Sequence, residues 1–169
     1  QNDAIYQRAV IQASTFNTIE KYTEYLNNIS FCTQAIKAVE LLNSVAFEAT
    51  AKINTAAAYK AFIEQYPNAK ENATAVNRYE ERLFKEQTQD QKITSYQNFI
   101  KNHPQSPYRI QAENMIFELS TPQKTVEQID AFIKKNPGNR NVKQAWHDLY
   151  AAYMKNYSDQ LYEKFKSTY

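Results

Sequence analysis

The chain has 169 residues, a formal net charge of +2, 43% hydrophobic residues and 22% charged residues. This hydrophobic fraction supports a folded core rather than intrinsic disorder, and the near-neutral charge does not favour nucleic acid or an anionic membrane surface as a partner. No run of about 18 apolar residues occurs, so the sequence predicts no transmembrane segment.

Glycine is nearly absent, with Gly138 as the single example. Phosphate-binding loops, dinucleotide-binding turns and tight strand hairpins all rely on glycine, so these architectures are not expected. Asparagine can replace glycine at the C-terminal caps of helices. It recurs near the predicted helix ends at Asn27, Asn28, Asn68 and Asn102.

In chain order, one helix-forming segment occurs five times, at intervals of about 35 residues. The copies are TIEKYTEYLNN (18–28), TAAAYKAFIEQYP (55–67), KITSYQNFIKNHP (92–104), TVEQIDAFIKKNP (125–137) and SDQLYEKFKSTY (158–169). Their apolar residues follow the helical spacing i, i+3, i+4 and i+7. In three copies a proline then ends the segment, because proline disfavours the α conformation in the residue before it.

Aligning the first four copies produces columns of equivalent residues separated by steps of 37, 37 and 33. These columns are Tyr22, Tyr59, Tyr96 and Ile129; Tyr25, Phe62, Phe99 and Phe132; and Leu26, Ile63, Ile100 and Ile133. The segments between the copies align with the same steps, as Ala38, Ala75, Ala112 and Ala145, and as Leu42, Tyr79, Ile116 and Leu149. A small residue repeated in this way indicates a close helix crossing. The repeating unit is therefore a helix, a short turn and a second helix, and such units stack into a superhelix.

The motifs YPNAKENATAV (66–76) and HPQSPYRIQAENMIFEL (103–119) resemble a subclass of tetratricopeptide repeats. The repeats look like those of outer-membrane assembly lipoproteins and of the periplasmic coordinator that works with the Tol-Pal system. This resemblance covers almost the whole chain and implies an all-α, right-handed superhelix of about five antiparallel helix hairpins, a solenoid of the tetratricopeptide type. The chain departs from the family late in the first helices, where bulky residues replace a small residue or glycine. They are Phe47, Phe84, Phe117 and Tyr150.

The resemblance also sets the domain organisation. Residues 1–169 form one repeat domain whose hairpins span roughly 1–28, 31–66, 69–103, 106–136 and 139–169. The chain begins within a first helix and ends where a Tyr-Pro pair would fall. We therefore expect a trimmed mature chain or a fragment of a longer protein, and any lipid anchor or further domain would lie outside it.

The residues able to carry chemistry do not form a recognisable site. His103 and His147 lack the HxxxH or HExxH spacing of metal ligands. The single cysteine, Cys32, aligns with Ala69 and Ser106 and is interpreted as a small buried residue. It cannot form an internal disulfide, so it fits an oxidising or a reducing compartment.

Two pairs of acidic residues could suggest acid–base catalysis, namely Glu80 with Glu81 and Glu113 with Glu118. Helix surfaces carry such residues routinely, and nothing near them in the sequence suggests a glycosidase-like site. We therefore predict no catalytic residue, no metal site and no cofactor, and we do not expect an enzyme.

A basic cluster surrounds the turn between the fourth and fifth hairpins. It consists of Lys134, Lys135, Arg140 and Lys143. A contact with phosphate or with an acidic peptide is one interpretation. The nearby Glu127 and Asp130 dilute the charge, so a solvated helix end is the favoured interpretation.

The family register implies that the first helices line the concave face and bind a protein or peptide partner there. The groove columns are Lys37, Thr74, Gln111 and Gln144; Glu40, Asn77, Asn114 and His147; and Ser44, Glu81 and Glu118. Amide and carboxylate groups at these positions offer hydrogen bonds to an extended polypeptide.

The leading hypothesis is thus a non-enzymatic scaffold for protein–protein interaction in the bacterial envelope, in the periplasm or associated with the outer membrane. That location rests on the resemblance, on the few cysteines and on a composition rich in Tyr, Asn and Gln. One alternative is the accessory repeat domain of a larger enzyme or peptidoglycan-binding protein, and another is a cytoplasmic regulatory adaptor. The sequence does not predict the oligomeric state.

Overall fold

The computed structural model describes residues 2–28, 33–155 and 158–169, and this part of the chain contains ten helices and no strand. They are α1 (Asn2–Phe16), α2 (Ile19–Asn28), α3 (Thr33–Ile53), α4 (Ala56–Gln65), α5 (Asn72–Gln87), α6 (Ile93–Asn102), α7 (Arg109–Ser120), α8 (Val126–Lys135), α9 (Val142–Met154) and α10 (Asp159–Thr168). Consecutive helices form five adjacent antiparallel hairpins, which confirms the predicted all-α hairpin architecture. The chain divides into two compact units, Gln1–Leu83 and Phe84–Tyr169, with the division inside α5.

The alanine column lies at the buried crossings of the first helices, as the sequence predicts. Ala38, Ala75, Ala112 and Ala145 are all 0% exposed. In the first unit, Ala38 belongs to a core cluster with Tyr22 and Tyr25, and Ala75 belongs to one with Tyr59 and Phe62. A methyl side chain lets the next first helix approach these aromatic rings closely, so each hairpin buries the rings of the hairpin before it.

The bulky residues late in the first helices each pack on a phenylalanine fifteen positions later. The ring centroids lie 5.4 Å apart in Phe47–Phe62, 5.1 Å in Phe84–Phe99, 4.8 Å in Phe117–Phe132 and 5.5 Å in Tyr150–Phe165. All four pairs are tilted or edge-on, an arrangement worth about 0.5–1.5 kcal/mol beyond the area it buries. Each pair joins the two helices of one hairpin.

The change of step from 37 to 33 residues arises inside a first helix. Helix α5 has 16 residues, whereas α7 has 12. Phe84 follows Ala75 by nine positions, and Phe117 follows Ala112 by only five. The difference of four residues is close to one helical turn. Phe117 therefore stays on the same face of its helix as Phe84, and the core column survives the deletion.

The second helices begin with a hydroxyl cap in four of the five hairpins. The side-chain oxygens of Thr18, Thr55, Thr125 and Ser158 accept hydrogen bonds from backbone N–H groups three residues on, at 3.2–3.3 Å. Such caps satisfy one of the free N–H groups of the first turn. Lys92 holds the same column in the third hairpin and supplies no side-chain cap.

In four hairpins, a left-handed residue lies two positions before the start of the second helix, and none of these residues is glycine. The residues are Asn17, Asn54, Gln91 and Lys124, with φ values of 46°, 56°, 54° and 50°. The hydroxyls of Tyr22 and Tyr59 donate hydrogen bonds to Oδ1 of Asn17 and Asn54, at 3.1 and 3.3 Å.

Asn68 and Asn102 lie near the ends of α4 and α6, as the sequence indicates, but neither holds the C-cap position. The C-cap residues are Tyr66, which follows Gln65 at the end of α4, and His103, which follows Asn102 at the end of α6. The backbone N–H groups of Tyr66 and His103 bond to Phe62 and Phe99.

The substitution Ala112→Leu should introduce too large a side chain at the buried helix crossing. We expect it to lower the free energy of unfolding by about 1–3 kcal/mol. The neighbouring exposed residue provides the control, because Gln111→Leu adds similar bulk outside the core. Urea unfolding of both variants measures the difference. An unchanged stability of Ala112→Leu would contradict the assigned crossing.

Replacing Gln91→Gly should raise the free energy of unfolding by about 1 kcal/mol, because a side chain at positive φ carries a steric cost that glycine avoids. Gln91→Ala keeps the Cβ atom and should give no such gain. Thermal unfolding of the two variants separates relief of backbone strain from loss of the glutamine side chain. Equal melting temperatures would count against strain at this turn.

Candidate functional site

In the first unit, the predicted groove residues lie on α3 and α5 with their side chains accessible. Lys37, Glu40, Thr74 and Asn77 are exposed, and Glu81 is half-buried. Lys37 Nζ lies 3.3 Å from Glu40 Oε2, so two of the predicted residues pair with each other. Glu81 pairs with Arg78 at 3.1 Å.

In the second unit, the predicted residues lie on α7 and α9, and two of them are used internally. Gln111, Glu118, Gln144 and His147 are exposed, whereas Asn114 is half-buried. The Oδ1 atom of Asn114 accepts a hydrogen bond from Asn141 Nδ2 at 3.0 Å. Gln144 donates to Asp148 at 2.7 Å. Asn114 therefore contributes to the packing of this unit, and Gln144 is engaged within its own helix.

Sequence reasoning missed a set of exposed apolar residues beside these polar ones. In the first unit they are Ile36, Val39 and Val76, and in the second unit they are Ile110 and Trp146. Each lies two positions before or one position after a buried alanine of the repeat column. That spacing is the signal that could have found them. The accessible face of the first helices is thus mixed, with aliphatic and aromatic side chains beside amides and carboxylates.

The first unit contains a groove of about 360 Å³ between α3 and the turn that leads into α5. It is lined by Ile36, Val39, Glu40, Asn43, Asn68, Lys70 and Glu71. The side chain of Glu71 is only 12% exposed, and its Oε1 lies 3.7 Å from Lys70 Nζ. Its Oε2 is buried without a hydrogen-bond partner.

The other residues considered for chemistry do not assemble into a site. Glu113 is buried and pairs with Arg109 at 3.0 Å, whereas Glu118 is exposed. His103 packs on Phe99, with ring centroids 5.1 Å apart. In the described part of the chain, no three His, Cys, Asp or Glu residues are grouped so that they could hold a metal ion. Cys32 lies outside the described residues.

At the basic turn, one lysine forms an ion pair with a nearby aspartate. Lys134 Nζ lies 2.7 Å from Asp130 Oδ2, and the hydroxyl of Tyr169 donates to Asp130 Oδ1 at 2.8 Å. The hydrogen bond from Lys134 lowers the pKa of Asp130, with smaller help from Tyr169. Burial, followed by the Asp130 carboxylate, raises the pKa of Tyr169 above its ordinary value.

A scan against models of protein families and a search of curated proteins both find no match. Within the ranges that the structure describes, no helix is long and apolar enough to cross a membrane. The fold itself is consistent with a helical repeat.

Replacing Tyr169→Phe should lower the free energy of unfolding by about 0.5–1 kcal/mol at neutral pH, because the bond to Asp130 is lost. The folded state holds the pKa of Tyr169 above the ordinary 10.0, so the stabilisation is fully present below pH 10.0 and declines as the pH rises above it. The stabilities of the two proteins should therefore converge in alkaline solution, as measured by urea unfolding across pH. A constant difference would contradict the bond, and Tyr162→Phe, within α10, controls for loss of a tyrosine hydroxyl.

Proposed function

We propose that this chain is a non-enzymatic scaffold of the tetratricopeptide type that binds a polypeptide through the exposed face of its first helices. The observation that carries the proposal is the recurrence of accessible polar and apolar side chains beside each buried alanine. In the first unit Val76 and Asn77 follow Ala75, and in the second unit Trp146 and His147 follow Ala145.

The chemistry of this face suits an extended polypeptide. Exposed amides such as Asn77 and Gln111 can both donate to and accept from a peptide backbone. Aliphatic side chains beside them, such as Val76 and Ile110, can cover the apolar side chains of a ligand. Each helix supplies few contacts, so we expect several first helices to act together and short peptides to bind modestly.

The proposal includes a location in the bacterial envelope, in the periplasm or at the outer membrane. Support comes from the resemblance of the motifs at 66–76 and 103–119 to the repeats of envelope proteins. Fractionation of the source cells, followed by detection of the chain in periplasmic and outer-membrane fractions, tests the location independently of partner binding.

Site-specific photocrosslinking tests the binding face. A photoreactive amino acid should be placed at Asn77 or Gln111 on first helices, and at Lys60 or Asn98 on second helices as matched exposed controls. Irradiation of intact cells should give a discrete protein adduct from the first-helix positions and not from the controls. Adducts from the second-helix positions alone would overturn the proposed face.

Paired substitutions then separate this face from the basic turn. Asn77→Ala with Gln111→Ala should weaken capture of the crosslinked partner without lowering the melting temperature, because both side chains are exposed. Asn114 is unsuitable, since its loss would remove the bond from Asn141. Lys134→Glu with Lys135→Glu should leave capture unchanged. If only the charge reversal abolishes capture, the binding face is the basic turn.

A further inference from the structure

The α3–α5 junction of the first unit and the α7–α9 junction of the second unit each join consecutive first helices, and they differ in one polar pair. The residue four positions before the buried alanine meets the residue two positions after the preceding alanine. In the second unit, these residues are Asn141 and Asn114. Their equivalents in the first unit are Glu71 and Glu40, and both line the α3–α5 groove.

In the α7–α9 junction of the second unit, the polar side chains find hydrogen-bond partners within the chain. Asn141 Nδ2 donates to Asn114 Oδ1 at 3.0 Å and to the backbone oxygen of Glu113 at 3.3 Å. An amide can do this because it carries both a donor and an acceptor. The polar groups of the α7–α9 junction therefore hydrogen-bond to one another.

The junction of the first unit cannot close in the same way. Ionised Glu40 and Glu71 are both acceptors only. Glu71 Oε2 is buried with no partner, and a buried polar atom left in this state is costly. The nearby lysines are weak partners for the two carboxylates. The side chains of Lys37 and Lys70 are 63% and 75% exposed, and ion pairs at the surface contribute little.

We infer that the α3–α5 groove is a binding site for a basic side chain, lysine or arginine, of the polypeptide partner. Its charged end would lie between the carboxylates of Glu40 and Glu71, and its methylene stem would cover Ile36 and Val39. These two residues are 66% and 43% exposed, and they favour an organic cation over a bare metal ion. The inference rests on the proposed function for the source of the side chain, and the small-molecule test below does not require a partner.

The test uses the full chain and N-acetyl-lysine methylamide, with amide chemical shifts followed by NMR. Residues 36–43 and 68–72 should shift on titration, and the α7–α9 junction of the same molecule should not. The norleucine analogue has a similar stem without the ammonium group and should leave the first junction unchanged. No response to lysine, or an equal response to norleucine, would overturn the site. A response to calcium chloride in place of lysine would overturn it as well.

Charge-neutral variants assign the response to these carboxylates. Glu71→Gln should weaken binding of the lysine analogue about tenfold, the expected effect of losing a charged hydrogen bond. Glu64→Gln removes an exposed carboxylate of α4 and should leave binding unchanged. Binding that is equally strong in Glu71→Gln would contradict the inference.

A double variant, Glu40→Asn with Glu71→Asn, imitates the amide pair of the second unit. It should lose the response to lysine and melt at a higher temperature than the unaltered chain, because the buried acceptor gains a donor. A full lysine response in this folded variant would overturn the site. If photocrosslinking at Asn77 persists in a chain that never responds to lysine, the cation site is wrong and the scaffold stands. A lysine response without any crosslinked partner would support the site and contradict the scaffold.

Discussion

The close crossing of first helices over buried alanines is the constraint on which the rest of the fold depends. Ala38 and Ala75 have no exposed surface, and each lies in a cluster with aromatic side chains of the preceding second helix. A larger residue at the crossing would separate the helices and leave those rings partly open to water. Because a single hairpin has too little interior to bury its own apolar face, the neighbouring hairpin supplies the missing cover.

The aromatic pairs within hairpins show how bulky residues can recur in this repeat without disturbing the fold. A ring such as Phe84 occupies the space that a small residue would leave, and it meets Phe99 edge-on at 5.1 Å. The pairing tolerates a four-residue deletion in α7 because the loss is close to one helical turn. The repeats therefore keep the aromatic residue on the same face of the first helix, although the length of that helix changes.

Equivalent polar positions of the two units differ in whether the chain satisfies their hydrogen bonds. Asn114 accepts a hydrogen bond from Asn141 and so joins α7 to the start of α9, whereas Gln144 bonds to Asp148 within α9. Glu71 has a buried oxygen without a hydrogen-bond partner. The same repeat position therefore closes the α7–α9 junction of the second unit and leaves a polar group unsatisfied in the α3–α5 junction of the first.

In the turns between helices, the position of the left-handed residue recurs while its residue type varies. The left-handed residues recur at the repeat spacing although their side chains vary from Asn54 to Gln91 to Lys124. The one glycine, Gly138, is not among them. The position is set by the start of the second helix, which always follows two residues later, while the residue that fills it depends on local contacts such as the bond from Tyr59 to Asn54.

The sequence by itself determined the helices, their pairing into hairpins and the buried columns, because helical periodicity and repeat spacing are local properties that recur along the chain. It placed Ala112 in the core and Gln111 on the surface correctly for that reason. Only the tertiary structure decided which accessible polar groups are free, since hydrogen bonds such as Asn141 to Asn114 join residues 27 positions apart and leave no periodic signal. The same holds for the unpaired oxygen of Glu71, because the groove beside it is formed by α3 and the turn before α5 together.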